Sequence, residues 1–100
     1  RPTPDRVRET LFNWLAPYLP AARCLDLYAG SGVLGFEAVS RGAASARLVE
    51  RDSEAASALD LLRQRLDATT VEVHCADVLT WLQRPAQAFD IVFVDPPYAS

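Results

Sequence analysis

Short apolar runs of strand character alternate along this chain with segments of helical period, and few folds accommodate that order. Residues 24–28, 46–50, 71–75 and 89–94 read as four strands. Between them lie a helix over 33–41 with Gly42 at its C-terminal cap, a helix from Ser53 as N-cap to about Leu66, and a short helix near 77–82. Ala55, Ala58, Leu59, Leu62 and Leu66 line one face of the second. Strands separated by helices form a parallel sheet with helices on both faces, because each helix carries the chain back across the sheet. Right-handed crossovers then favour the strand order 3-2-1-4. Ahead of the first strand, Thr3 caps a predicted helix with Pro4 at its first position. Its Val7, Leu11, Trp14, Leu15 and Tyr18 share one face, and Arg6, Glu9 and Asn13 the other.

One hundred residues, half of them hydrophobic and 23% charged, suit one globular domain rather than a disordered chain. The expected organisation is a helical segment over 1–20 followed by an α/β core over 21–100. The strand order places the apolar 89–94 run at an open sheet edge, where it invites aggregation. Further C-terminal strands are therefore expected in the parent protein, and the start at Arg1-Pro2-Thr3-Pro4, without Met, suggests a trimmed piece. No apolar run approaches the roughly 20 residues of a membrane span. The net charge of −3 gives no general pull toward nucleic acid, although all ten basic residues are Arg. Arg1, Arg6 and Arg8 read equally as an anion-binding patch or as a solvated helix face. Cys24 and Cys75 form no C-x-x-C pair and are expected as buried, reduced thiols of a cytoplasmic protein. His74, without partner ligands, reads as structural, and no Cys/His cluster supports a metal site.

The chemistry begins after the first strand. Gly30-Ser31-Gly32-Val33-Leu34-Gly35 is a G-x-G-x-x-G turn that opens a helix, a setting in which backbone approaches a ligand closely. Glu50, 20 residues beyond Gly30, ends the second strand, where an acid accepts both hydroxyls of a ribose. These two features fit a dinucleotide or S-adenosylmethionine (SAM). Asp26 favours SAM, since a carboxylate in the first strand repels a pyrophosphate and attracts an ammonium. Asp77, after the third strand, is positioned to accept from an adenine amino group, unless it only caps the helix that follows.

The fourth strand stops at Asp95-Pro96-Pro97-Tyr98. Two prolines fix two φ angles and remove two donors, so the strand cannot continue. The resulting corner carries a carboxylate, free carbonyls and an aromatic face, which suits a flat ligand bearing an NH2 group.

Asp95-Pro96-Pro97-Tyr98 resembles the signature of SAM-dependent methyltransferases that act on exocyclic amino nitrogens. Together with Asp26-Leu27-Tyr28-Ala29-Gly30-Ser31-Gly32, the chain looks like a class I SAM-dependent methyltransferase of Rossmann-like fold. The opening Arg1-Pro2-Thr3-Pro4-Asp5-Arg6-Val7-Arg8-Glu9-Thr10-Leu11-Phe12-Asn13 is similar to that of the bacterial small-subunit ribosomal RNA guanine-N2 methyltransferases. The resemblance implies that Asp26, Gly30 and Gly32 hold the methionine part of SAM, Glu50 the ribose and Asp77 the adenine. It implies that Asp95 and the Pro96 carbonyl hold the target amino group, that Pro97 stiffens the corner, and that Tyr98, often Phe in the family, stacks on the base. The implied partner is ribosomal RNA within an assembling small subunit, met by a monomer without metal. Adenine N6 and protein glutamine remain rival substrates. A dinucleotide-binding oxidoreductase domain and a non-catalytic SAM-binding module are the alternatives of other classes.

Overall fold

The computed structural model describes residues 4–85 and 87–96. At its centre lie four parallel strands, β1 (Arg23–Asp26), β2 (Ser45–Glu50), β3 (Val71–Cys75) and β4 (Ile91–Phe93), in the order β3-β2-β1-β4. This is the expected 3-2-1-4 sheet. Among the described residues four α-helices accompany it: α1 (Asp5–Leu15), α2 (Val33–Ser40), α3 (Ser53–Arg65) and α4 (Val78–Leu82). Side chains alternate between the faces of a strand, and β1 shows it. Cys24 packs with Phe12 of α1, Leu34 and Ala38 of α2 and Leu59 of α3. Leu25 and Leu27 pack on the other face with Val49 and Trp81 of α4. Among the described residues one face thus carries three α-helices and the other α4.

Local chemistry fixes the ends of these elements. α2 stops because Gly42 takes φ 108, a conformation that costs other residues a Cβ clash. Its N–H and that of Ala43 then bond the carbonyls of Val39 and Ala38, a Schellman cap. α3 ends the same way with Asp67, at φ 52, in the glycine position. β4 starts at Ile91 rather than at 89, because Asp90 accepts from the Arg23 backbone N–H at 2.8 Å and from its Nε at 3.3 Å. The same contacts hold the Asp90 carboxyl below the ordinary carboxylate range.

Several expectations are corrected. The N-cap of α3 is Asp52, whose side chain accepts from the Ala55 N–H at 2.9 Å, so Ser53 is the first helical residue. α3 buries Ala56 and Leu59, while Leu62 and Leu66 of the expected face are exposed. Leu59 leads because its Cδ2 occupies the space left by the missing Cβ of Gly32. In α1, Pro4 is the N-cap residue, and Thr3 lies outside the described residues. The buried residue of α1 is Phe12, whereas Val7, Trp14 and Tyr18 are 56%, 73% and 69% exposed. The helix turns that way because Phe12 meets the Phe93 ring at 5.8 Å and Arg41 at 5.3 Å, while Arg8 reaches Glu37 at 3.7 Å. Cys24 is buried, but Cys75 is exposed at the end of the edge strand β3, its Sγ 3.7 Å from the Arg51 carbonyl. His74 packs edge-on against Trp81 at 5.9 Å and lies beside Glu72 and Arg84, in keeping with a structural role.

Candidate functional site

Parallel strands finish on one side of a sheet, so the loops that follow them gather there. In this chain they enclose a cleft of about 520 Å³, within the usual range for small-molecule sites. Its lining brings together Asp26, Glu50, Asp77 and Asp95, with Gly30 and Pro96 between them. Pro97 and Tyr98 of the expected corner lie outside the described residues.

Asp26 is the most unusual member. It is 2% exposed, and its Oδ1 has no hydrogen-bond partner among the described residues. Burial pushes its carboxyl from 3.8 up to about 6; the Tyr28 and Gly35 N–H groups pull it down, and the Asp95 and Glu50 charges push it up. Register explains the pairing with Asp95. Asp26 stands level with Phe93, the last residue of β4, and Asp95 follows two residues beyond it. A buried, unpaired carboxylate oxygen facing further carboxylates calls for a cationic donor.

Glu50 does more than line the cleft. Its Oε1 accepts from the Gly30 N–H at 2.8 Å and its Oε2 from the Asp52 N–H at 2.9 Å. Among the described residues Glu50 forms no ion pair with its neighbours Arg47 and Arg51. Arg47 pairs instead with Glu72 at 3.6 Å and with Gln87. Asp77 is exposed; it caps α4, its Oδ2 accepting from the Leu79 and Thr80 N–H groups at 3.1 and 3.3 Å, and it also lines the cleft.

The glycines divide their work. Gly30 has φ 54, and a Cβ built there would meet nothing within 4 Å; the open space faces the cleft. Gly32, expected beside a ligand, is buried and absent from the lining. A Cβ there would come within 2.5 Å of Leu59 Cδ2, so its bare backbone serves helix packing. Gly35 lets α2 approach β2, its missing Cβ lying 2.1 Å from Leu48 Cδ2, and its N–H acts on Asp26. Neither task was read from the sequence, where the glycines of the turn signalled close approach to a ligand. Arg51, the one basic residue in the lining among the described residues, carried no sequence signal beyond its place after Glu50.

The donor set fits SAM better than a dinucleotide. The unpartnered Asp26 oxygen suits an ammonium, and Glu50 retains lone pairs for a diol. A pyrophosphate at Gly30 would face Asp26, Glu50 and Asp95.

Among known proteins, the family described as Conserved hypothetical protein 95 matches residues 1–100. The protein named Ribosomal RNA small subunit methyltransferase D from Escherichia coli (strain K12) is 49% identical over 98 residues, covering 98% of this chain and 50% of that protein. The protein of the same name from Haemophilus influenzae is 47% identical over 102 residues, covering 98% and 53%. Among solved structures, Escherichia coli yhhF, provisionally described as a methyltransferase, superposes with a TM-score of 0.94 at 47% identity, over 98% of this chain and 55% of that one. The chain therefore spans about half the length of the curated relatives it matches. It belongs to the Conserved hypothetical protein 95 family, and its sheet is that of the class I SAM-dependent methyltransferases.

Proposed function

We propose that the chain is the cofactor-binding part and amino-binding corner of an enzyme that methylates the exocyclic N2 of a guanine in small-subunit ribosomal RNA. The observation that carries this reading is the buried Asp26, with one oxygen unpartnered, in a cleft that ends at Asp95 and Pro96. Relatives named as small-subunit ribosomal RNA methyltransferases support the substrate class. The cytoplasm is the matching compartment, and no described helix is long and apolar enough to cross a membrane.

Asp26 would hold the cofactor's ammonium, the open Gly30 backbone would admit its methionine arm, Glu50 would take the ribose hydroxyls and Asp77 the adenine amino group. When bound, SAM supplies an electrophilic methyl group on a sulfonium. The chain's own work is then to hold and orient. A guanine amino group is a poor nucleophile because its lone pair is delocalised into the ring. Acceptors at the Asp95 carboxylate and the Pro96 carbonyl take its two hydrogens and turn that lone pair out of the ring plane. Orientation of this kind contributes up to roughly 7–11 kcal/mol. Positive charge grows on the nitrogen as it reacts, so a carboxylate at Asp95 stabilises the transition state more than the ground state. Tyr98 is assigned to stack on the base, for about 1–3 kcal/mol.

The test offers methyl-labelled SAM and the protein to small ribosomal subunits lacking the modification, bare ribosomal RNA, DNA and protein glutamine substrates in parallel. Label in N2-methylguanosine is expected. Label in N6-methyladenine or glutamine would keep the cleft and discard the substrate, and absence of SAM binding would discard both. Asp95→Ala is expected to abolish transfer while leaving SAM affinity within about threefold, and retained turnover in the folded variant would refute the role of Asp95.

A further inference from the structure

Glu50 spends both carboxylate oxygens on backbone. Oε1 bonds Gly30 in the loop after β1, and Oε2 bonds Asp52, the N-cap of α3, in the loop after β2. Around it, Ala29 N–H bonds the Val49 carbonyl and Ala76 N–H the Glu50 carbonyl, both at 3.0 Å. Three of the loops that build the cleft therefore meet at this one residue. The loop it grips is the one most in need of a grip: Gly30 has a left-handed φ, a Cβ built there would meet nothing within 4 Å, and glycine has the widest choice of backbone conformations. The same loop carries the Tyr28 N–H that acts on Asp26. A carboxylate offers about four acceptor sites. Two are occupied by N–H groups, so the remainder can accept a vicinal diol without releasing the backbone.

We propose that Glu50 is a positioning residue that pins the glycine turn in its ligand-ready shape before any ligand arrives. It thereby couples recognition of a ribose diol at Glu50 to recognition of the amino-acid end of the same ligand at Asp26. The coupling rests on the SAM reading above; the pinning does not. A residue that served only to grip the ribose would leave the turn, and every ligand group beyond the ribose, indifferent to its loss.

The experiment uses the 100-residue chain with 15N labelling. Amide exchange at Gly30 and Asp52 is followed without ligand in the wild type, Glu50→Ala and Glu50→Gln, with the amides of the α1 helix reporting global unfolding. Affinities for SAM and for its 2′,3′-dideoxy analogue are measured by calorimetry. In Glu50→Ala, exchange at both amides is expected to speed at least tenfold while the α1 amides hold. In Glu50→Gln only one should speed, since a carboxamide keeps a single accepting oxygen; this variant also decides the matter if the alanine form does not fold. The dideoxy analogue, which has no diol to lose, should still bind Glu50→Ala about fivefold or more weakly than wild type. Unchanged protection at Gly30, or equal affinity of both proteins for the analogue, would overturn the proposal. If the wild type binds neither SAM nor the analogue, the SAM reading fails and the exchange data alone judge the pin.

Discussion

Replacing Asp26 by Asn separates the cost of the site from its use. The carboxyl rises from 3.8 to about 6 in the folded chain, chiefly through burial. At ~1.36 kcal/mol for each tenfold change in proton affinity, keeping it ionised there costs about 3 kcal/mol of stability. The sign follows from proton uptake. Below pH 3.8 the group is protonated in both the folded and unfolded chains, and nothing is lost. Between 3.8 and about 6 the unfolded chain releases a proton that the folded chain retains, so stability falls with rising pH, and it levels off above about 6. Asn keeps an oxygen for the Tyr28 and Gly35 N–H groups and cannot ionise. The variant should match the wild type near pH 4 and exceed it by up to about 3 kcal/mol at pH 8, or ~12–24 °C in Tm for a domain of this size. Chemical denaturation of the ligand-free chain from pH 4 to pH 8 measures the difference. SAM affinity should move the other way, by about 10- to 150-fold, because a charge-assisted hydrogen bond of ~1.5–3 kcal/mol is lost. A stability difference that stays flat with pH would show that Asp26 buries no charge. A variant that binds SAM as well as the wild type would remove Asp26 from the site.

Four further substitutions test the frame around the cleft. Asp52→Ala removes the N-cap bond to Ala55 and should cost about 1 kcal/mol in denaturant unfolding; no loss would mean that Ser53 can take over. Gly35→Ala forces a Cβ against the fully buried Leu48 and should destabilise by ~1–3 kcal/mol. Gly30→Ala has open space at its Cβ and should fold with a loss nearer 1 kcal/mol from its positive φ, while weakening SAM at least tenfold in calorimetry. Equal behaviour of the two glycine variants would refute the division of labour between them. Asp67→Gly relieves a left-handed non-glycine residue at the end of α3 and should stabilise by ~0.5–1 kcal/mol, read as a rise in Tm.

The sheet and the cleft were legible in the sequence because both follow from rules that act along the chain. Strand order comes from crossover handedness, and once the order is known the residues at the strand ends must gather on one side. Asp26, Glu50, Asp77 and Asp95 could therefore be brought together without knowing how a single helix packs. The helix faces were a different problem. Of the expected row Val7, Leu11, Trp14, Leu15 and Tyr18, Leu11 and Leu15 pack partly buried against the core, yet the residue that α1 buries fully is Phe12. Summed apolar character did not choose the face; one aromatic contact to Phe93 and one ion pair to Glu37 did, and both partners lie far along the chain. Of the expected α3 face Ala55, Ala58, Leu59, Leu62 and Leu66, it is Leu59 that is buried, together with Ala56, because Gly32 at the N-cap of α2 leaves room at Leu59. Periodicity can count the residues on a face, but it cannot see the surface that the face will meet.

The same distinction explains why acids at the cleft carry structural duties, of which the sequence announced only the Asp77 cap. A loop at the end of a parallel strand leaves backbone N–H groups without sheet partners. An acid placed nearby to meet a ligand is also the nearest acceptor for them. Glu50 takes Gly30 and Asp52, and Asp77 takes Leu79 and Thr80. Asp26, buried at the end of β1, takes help from the Tyr28 and Gly35 N–H groups but keeps one oxygen unpartnered among the described residues. The acids closest to solvent thus organise the loops, and the buried one retains unmet demand for a donor. A cleft arranged this way is shaped before it is filled, with its strongest remaining attraction for cations at its deepest point.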